Sequence, residues 1–138
     1  MNKKSFCIAN WKMNKNILES ISYLEDFNKF DLSVSKSEII ISPSFLYLNT
    51  LINHNSDWDR INFSAQNVSH EKKGSFTGEV SIDMLESIAC KWVIIGHSER
   101  RLILKETEPD ISKKMQLVCN SNVNPILCVG ETLKERKN

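Results

Sequence analysis

Apolar residues in this chain fall in short solid runs rather than in strict alternation. Ser5–Asn10, Glu38–Ser42, Ile61–Ala65, Trp92–Ile95 and Asn124–Val129 are the five β-like runs. Continuous runs of this length are expected of strands buried on both faces of a parallel sheet. Between them the apolar positions change to helical spacing. Ile17, Ile21, Leu24 and Phe27 recur at steps of four, three and three, with Asn16 and Glu19 set as a capping pair. Ser81 opens a second helical pattern that carries Ile82, Leu85 and Ala89. A third carries Ile111, Met115 and Val118, with Pro109 in its first turn, where the missing N–H costs little. The βα repeat of roughly 23 to 33 residues predicts one α/β domain over residues 1–138 with a mostly parallel sheet, doubly wound or a barrel. A dinucleotide fold would place a glycine-rich fingerprint after its first strand. Asn10-Trp11-Lys12-Met13-Asn14 stands there instead, and this favours the barrel.

One segment has neither period. Gln66 to Glu79 forms a long loop, and loops of that size in compact units tend to be functional or mobile. Phe76 rides between Gly74 and Gly78, so a bulky ring sits near a glycine-flanked tip. Insertion of that tip into a partner is expected over a loop folded back on its own domain.

Composition narrows the classes. The 138 residues are 41% hydrophobic and 25% charged with a formal net charge of +1, which gives no electrostatic reason to expect nucleic acid or an anionic membrane. The pairs Lys72-Lys73 and Lys113-Lys114 read as solvated surface. No run approaches a membrane span, and Phe6-Cys7-Ile8-Ala9 after Lys3 and Lys4 is too short for a secretory core. Cys7, Cys90, Cys119 and Cys128 lack metal-site spacing and read as buried free thiols, so a cytoplasmic protein is the default.

The candidate chemistry lies where runs end. Trp92-Val93-Ile94-Ile95 stops at Gly96, His97 follows, and Ser98-Glu99-Arg100-Arg101 reads as the first turn of a helix. An imidazole at a helix start faces converging N–H groups, a field that disfavours the imidazolium. A neutral ring can then donate to a substrate oxygen; the plainer alternative is a histidine that only caps the helix or packs. Asn10 and Lys12, two apart at the end of the first run, are expected on one face. All strand carboxyl ends of a parallel α/β protein open on one side, so Asn10, Lys12 and His97 should meet at one mouth. A fixed cation, an amide and a neutral imidazole suit a small phosphorylated carbonyl compound whose enediolate needs stabilising. A lysine snorkelling at a strand end and an asparagine in a turn are the ordinary alternatives.

Five segments together resemble the triosephosphate isomerase family, in its order and at its spacing. They are Ala9 to Asn14, Ser64 to Ser69, Gly74 to Glu79, Trp92 to Arg101, and Pro125 to Glu131. That family is itself a standard example of a histidine kept neutral by a helix N-terminus. The resemblance implies a (β/α)₈ barrel and interconversion of dihydroxyacetone phosphate with glyceraldehyde 3-phosphate through an enediolate, with no cofactor and no metal. It implies that Asn10 and Lys12 bind substrate, that Lys12 and His97 are catalytic, and that Ser98 and Glu99 support them. It further implies a homodimer in which Phe76 and Thr77 belong to the loop inserted beside the neighbouring site. Cys128 and Glu131 match structural positions around the fifth strand. Ser42-Pro43-Ser44-Phe45, Ser75, Leu104 and Lys105 depart from the family pattern and are expected to be surface or packing changes that leave the proposed site untouched.

A complete barrel of this type takes about 250 residues. The resemblance therefore covers about five of eight βα units, with the helix after strand five starting near Glu135-Arg136-Lys137-Asn138 and the family's basic glutamate, lid and phosphate-binding amides past residue 138. The expectation is an incomplete N-terminal portion, inactive alone. The alternatives are one half of a split protein, or a non-catalytic remnant that pairs with isomerase subunits.

Overall fold

The computed structural model describes residues 5–31, 36–55, 61–131 and 133–137. Five parallel strands, β1 (Ser5–Asn10), β2 (Ser37–Ser42), β3 (Ile61–Ala65), β4 (Trp92–Ile95) and β5 (Asn124–Leu127), lie side by side in chain order. Helices α1 (Ile17–Phe27), α2 (Phe45–His54), α3 (Ile82–Ser87), α4 (Ser98–Leu102), α5 (Glu108–Cys119) and α6 (Leu133–Arg136) follow them. Strand order separates the two architectures left open above. A doubly wound sheet reverses direction at a switch point, whereas here every strand is added on the same side of the last. The fold is part of a (β/α) barrel.

The sheet is curled. The rings of Phe6 on β1 and Trp92 on β4 meet edge to face at 5.2 Å between centroids, although two strands stand between them. In a flat sheet those strands would be about 14 Å apart. Alternation along the strands divides the side chains into two sets. Ile39, Ile41, Ile61, Phe63, Ala65, Val93 and Ile95 join Leu24, Leu48, Leu51, Ile82, Leu85, Ile111 and Val118 in the core between sheet and helices. Ile40 and Ile94 are buried on the opposite, inner face and stand outside that cluster.

Local chemistry explains the helix starts. Asn16 and Glu19 close a full capping box on α1, Ser81 caps α3, and Thr107 with Asp110 closes a second box on α5, where Pro109 falls in the first turn. Several expectations need correction. Ala89 is not helical: α3 stops at Ser87, and Ala89 takes a left-handed conformation with φ 56° as the chain reverses into β4. The fifth strand ends at Leu127 rather than Val129, although the Cys128 N–H still donates to the Ile95 carbonyl at 2.9 Å. Of the four thiols only Cys90 is buried; Cys7 and Cys119 are exposed and Cys128 is intermediate. Lys3, Lys4 and Asn138 lie outside the described residues. Among the described residues no helix is long and apolar enough to cross a membrane.

The largest correction is Lys114. Its side chain is 3% exposed, not solvated, and its ammonium sits on Glu106, itself 5% exposed, and on the Asn67 amide oxygen at 2.8 Å. Arg100 reaches the same Glu106 oxygen at 3.2 Å. Two cations around one carboxylate offset the cost of burying Lys114 and Glu106, with Arg100 only partly buried. The cluster ties the root of the 66–79 loop (Asn67) to α4 and α5. Lys114 reads as surface in the sequence because a lysine in a helix is normally solvated.

Candidate active site

At the carboxyl ends of the strands lies a cleft of about 520 Å³, lined among others by Asn10, Lys12, Gln66, His97, Glu99 and Arg100. Residues from β1, β3 and β4 thus converge although they are far apart in sequence. The Asn10–Lys12 pair forms differently from expectation. Lys12 has left the strand and is left-handed, φ 53°, so strand alternation does not reach it. Its N–H instead donates to Asn10 Oδ1 at 2.9 Å, a turn that asparagine side chains favour. The Trp11 N–H donates to the Ser42 carbonyl at 3.0 Å, and Asn14 Nδ2 to the Trp11 carbonyl at 2.8 Å. Gln66 Nε2 donates to the carbonyls of both Lys12 (2.8 Å) and Ser42 (2.9 Å). A strained backbone held from four directions aims Lys12 into the cleft.

The Lys12 ammonium meets Glu99 Oε1 at 2.5 Å, and Glu99 Oε2 lies 3.4 Å from His97 Nδ1. Glu99 therefore stands between cation and imidazole. The hydrogen bond from Lys12 holds the Glu99 carboxyl below the usual carboxylate range; desolvation opposes it, and the charges of Lys12 and then His97 back it. His97 caps α4: its Nδ1 accepts the Glu99 N–H at 3.2 Å. The capping role is thus present, and it uses Nδ1 and leaves Nε2. A nitrogen that accepts an N–H bond carries a lone pair, so the proton of a neutral ring resides on Nε2. With α4 only five residues long, this single bond rather than an extended dipole sets the tautomer.

Behind His97 the backbone turns at Gly96, φ +70°, where an added Cβ would lie 2.9 Å from Arg101 Nη2. Arg101 donates to the Gly96 carbonyl at 2.6 Å, to the Cys128 carbonyl at 3.3 Å, and to Glu108. It clamps the end of β4 against that of β5. A second cleft of about 500 Å³ opens on this side of His97, with Ser98, Cys128 and Glu131 in its walls. Ser98 therefore faces a different cleft from Lys12. Burial raises the Cys128 thiol pKa, with Arg101 opposing the shift.

The loop from Gln66 to Glu79 has a buried root at Asn67, Val68 and Ser69, closed by the Ser69 N–H on the Val80 carbonyl at 2.8 Å. Its tip is exposed at Phe76 and Thr77, which line neither cleft. Gln66, Arg101 and the Arg100–Glu106–Lys114 cluster carry no role in the sequence reading. Gln66 does carry the signal that finds His97, a polar residue directly past a strand's carboxyl end. Among the described residues no cluster of histidine, cysteine or carboxylate side chains could hold a metal ion.

Comparison with known proteins agrees with this geometry. The family model described as triosephosphate isomerase matches residues 5–138. The triosephosphate isomerase of Endomicrobium trichonymphae is 41% identical over 136 residues, covering 99% of this chain and 54% of that relative. That of Aquifex aeolicus is 43% identical over 129 residues, covering 94% and 52%. That of Buchnera aphidicola subsp. Acyrthosiphon pisum is 45% identical over 131 residues, covering 94% and 51%. The chain spans about half the length of the curated relatives it matches.

Proposed function

The chain belongs to the triosephosphate isomerase family, and from that premise we propose that it supplies the substrate-binding and electrophilic half of an aldose–ketose isomerase site. The substrate is a triose phosphate, and the reaction interconverts dihydroxyacetone phosphate and glyceraldehyde 3-phosphate. The observation that carries the reading is the bond from the Glu99 N–H to His97 Nδ1, which leaves Nε2–H to donate at the mouth that Lys12 shares. As a proton leaves the carbon beside the carbonyl, charge builds on the carbonyl oxygen. A pre-aimed imidazole N–H stabilises that enediolate without reorganising. Lys12 supplies a fixed positive charge for phosphate and oxyanion, and Asn10 sets its backbone. Ser98 and Glu99 act as positioning residues.

Glu99 is not the base. A carboxylate whose pKa is depressed by an ammonium contact is a weak proton acceptor, and its role is to hold Lys12. The proton-abstracting carboxylate belongs to the part of the relatives that this chain does not match. General-base work contributes about 10² to 10⁴ in rate. A coupled isomerase assay on the purified 138-residue chain should therefore show no more than trace turnover; near-normal turnover would contradict this division of labour.

Residues 1–138 act as one partial barrel domain in a cytoplasmic setting, with no cofactor. A homodimer through the 66–79 loop is supported by its exposed tip at Phe76 and Thr77. It is also supported by Met13, 96% exposed, and by Leu104, two exposed apolar residues at the rim of the first cleft. Such apolar groups at a mouth are better covered than wet.

A further inference from the structure

The segment from Trp11 to Lys15 holds two lysines in the left-handed region, Lys12 at φ 53° and Lys15 at φ 67°. Residues other than glycine keep such conformations only where their surroundings over-determine them. Hydrogen bonds account for the first, and no hydrogen bond among the described residues involves the second. What Lys15 has is an aromatic corner. Its ammonium stands 4.8 Å from the centroid of the Tyr23 ring and 5.4 Å from that of Trp11, within the range of cation–π attraction. Those rings meet edge to face, 5.2 Å apart and 80° to each other, so the cation lies against both walls of one corner.

The corner joins the turn to the two elements that flank it. Trp11, 8% exposed, belongs to the core, and its N–H is tied to the end of β2. Tyr23 belongs to α1, whose cap Asn16 directly follows Lys15. Lys15 therefore folds back over the residue that precedes Lys12, and the Asn14 amide closes the same loop on the Trp11 carbonyl. With both feet of the loop clamped together, Lys12 stands between them with its ammonium on Glu99. We propose that Lys15 is a positioning residue: held on Trp11 and Tyr23, it fixes the turn that aims Lys12 into the cleft. That assignment rests on Lys12 being the cation of the proposed isomerase site. Lys15 is not part of the cleft wall, so its effect on the site passes through the turn. The ordinary alternative is a lysine that only spreads its methylene stem over half-exposed rings.

Glu99 reports on the clamp, because Lys12 holds its carboxyl down and Lys15 is not among the charges that act on it. In a carboxyl-detected NMR titration of the 138-residue chain, Lys15→Met should raise the Glu99 midpoint by about half or more of the displacement that Lys12→Met gives. Lys15→Arg, which keeps a cation on the rings, should leave the midpoint at the parent value. Tyr23→Leu keeps the lysine charge but removes one wall of the corner, and should raise the midpoint as well. An unmoved midpoint in Lys15→Met or Tyr23→Leu, even beside a loss of stability in urea, would make the contact merely structural and overturn the inference. So would a Lys15→Arg chain that behaves like Lys15→Met. An unshifted Glu99 in the parent chain would deny the Lys12 contact itself, and the proposed function would fall together with the clamp. None of these readouts uses turnover, so a chain without isomerase activity can still uphold the clamp.

Discussion

β1 and β4 carry similar apolar runs, Phe-Cys-Ile-Ala and Trp-Val-Ile-Ile, yet one is wet and the other sealed. The difference lies in neighbours. β4 has paired strands on both sides and α5 against its outer face, while among the described residues β1 pairs with β2 alone. The candidate site joins the two regions, taking Asn10 and Lys12 from the end of the exposed strand and His97 from the end of the sealed one. Position at the histidine follows from packing. Position at the lysine has to come from hydrogen bonds, which is why four of them surround the 10–14 turn.

The contrast can be broken hardest at the sealed side. Glu106→Leu strands the buried Lys114 ammonium with only Asn67 as partner, and loss of one member of a buried ion pair costs about 3–5 kcal/mol. Urea denaturation should show that loss, and Lys114→Met should cost less because Arg100 remains on Glu106. A neutral result for Glu106→Leu would mean the cluster does not tie the middle together.

Paired truncations come next. Ile41→Ala, in the core on β2, should cost about 2–5 kcal/mol. Ile8→Ala on β1 should cost about 1 kcal/mol, since nearly half of its surface is already in water. Equal losses in urea would erase the distinction between flank and middle.

The smallest effect sharpens the junction between the two. Because Lys12 holds the Glu99 pKa down, the link is intact above the ordinary glutamate range near about 4.3 and is lost as pH falls through the lower folded value. A carboxyl-detected NMR titration should find the Glu99 midpoint below that of exposed glutamates, and Lys12→Met should raise it. An unshifted midpoint in the parent chain would deny the contact.

Much of this was legible in the sequence because strand ends and helix caps are local signals. Asn10, Lys12 and His97 could be assigned to one mouth from strand parallelism alone, and Asn16, Ser81 and Pro109 mark their helix starts. α2 was not, since Phe45-Leu46-Tyr47-Leu48 is continuously apolar and gives no helical period to count. Lys114 escaped because its burial depends on Glu106 and Asn67, partners 8 and 47 positions away that only the fold brings together. The left-handed Lys12 escaped for a related reason. Its carbonyl is held by Gln66, 54 residues on, and the Trp11 N–H by the Ser42 carbonyl, beside the local bond to Asn10.

The central claim is that the imidazole at the mouth presents Nε2–H. A long-range ¹H–¹⁵N correlation spectrum of His97 measures this directly. The expected result is a lone-pair nitrogen at Nδ1 and a protonated Nε2, with the pattern disturbed by Glu99→Pro, which removes the donating N–H. A proton found on Nδ1, directed at the Glu99 carboxylate, would leave the mouth without its donor and contradict the account.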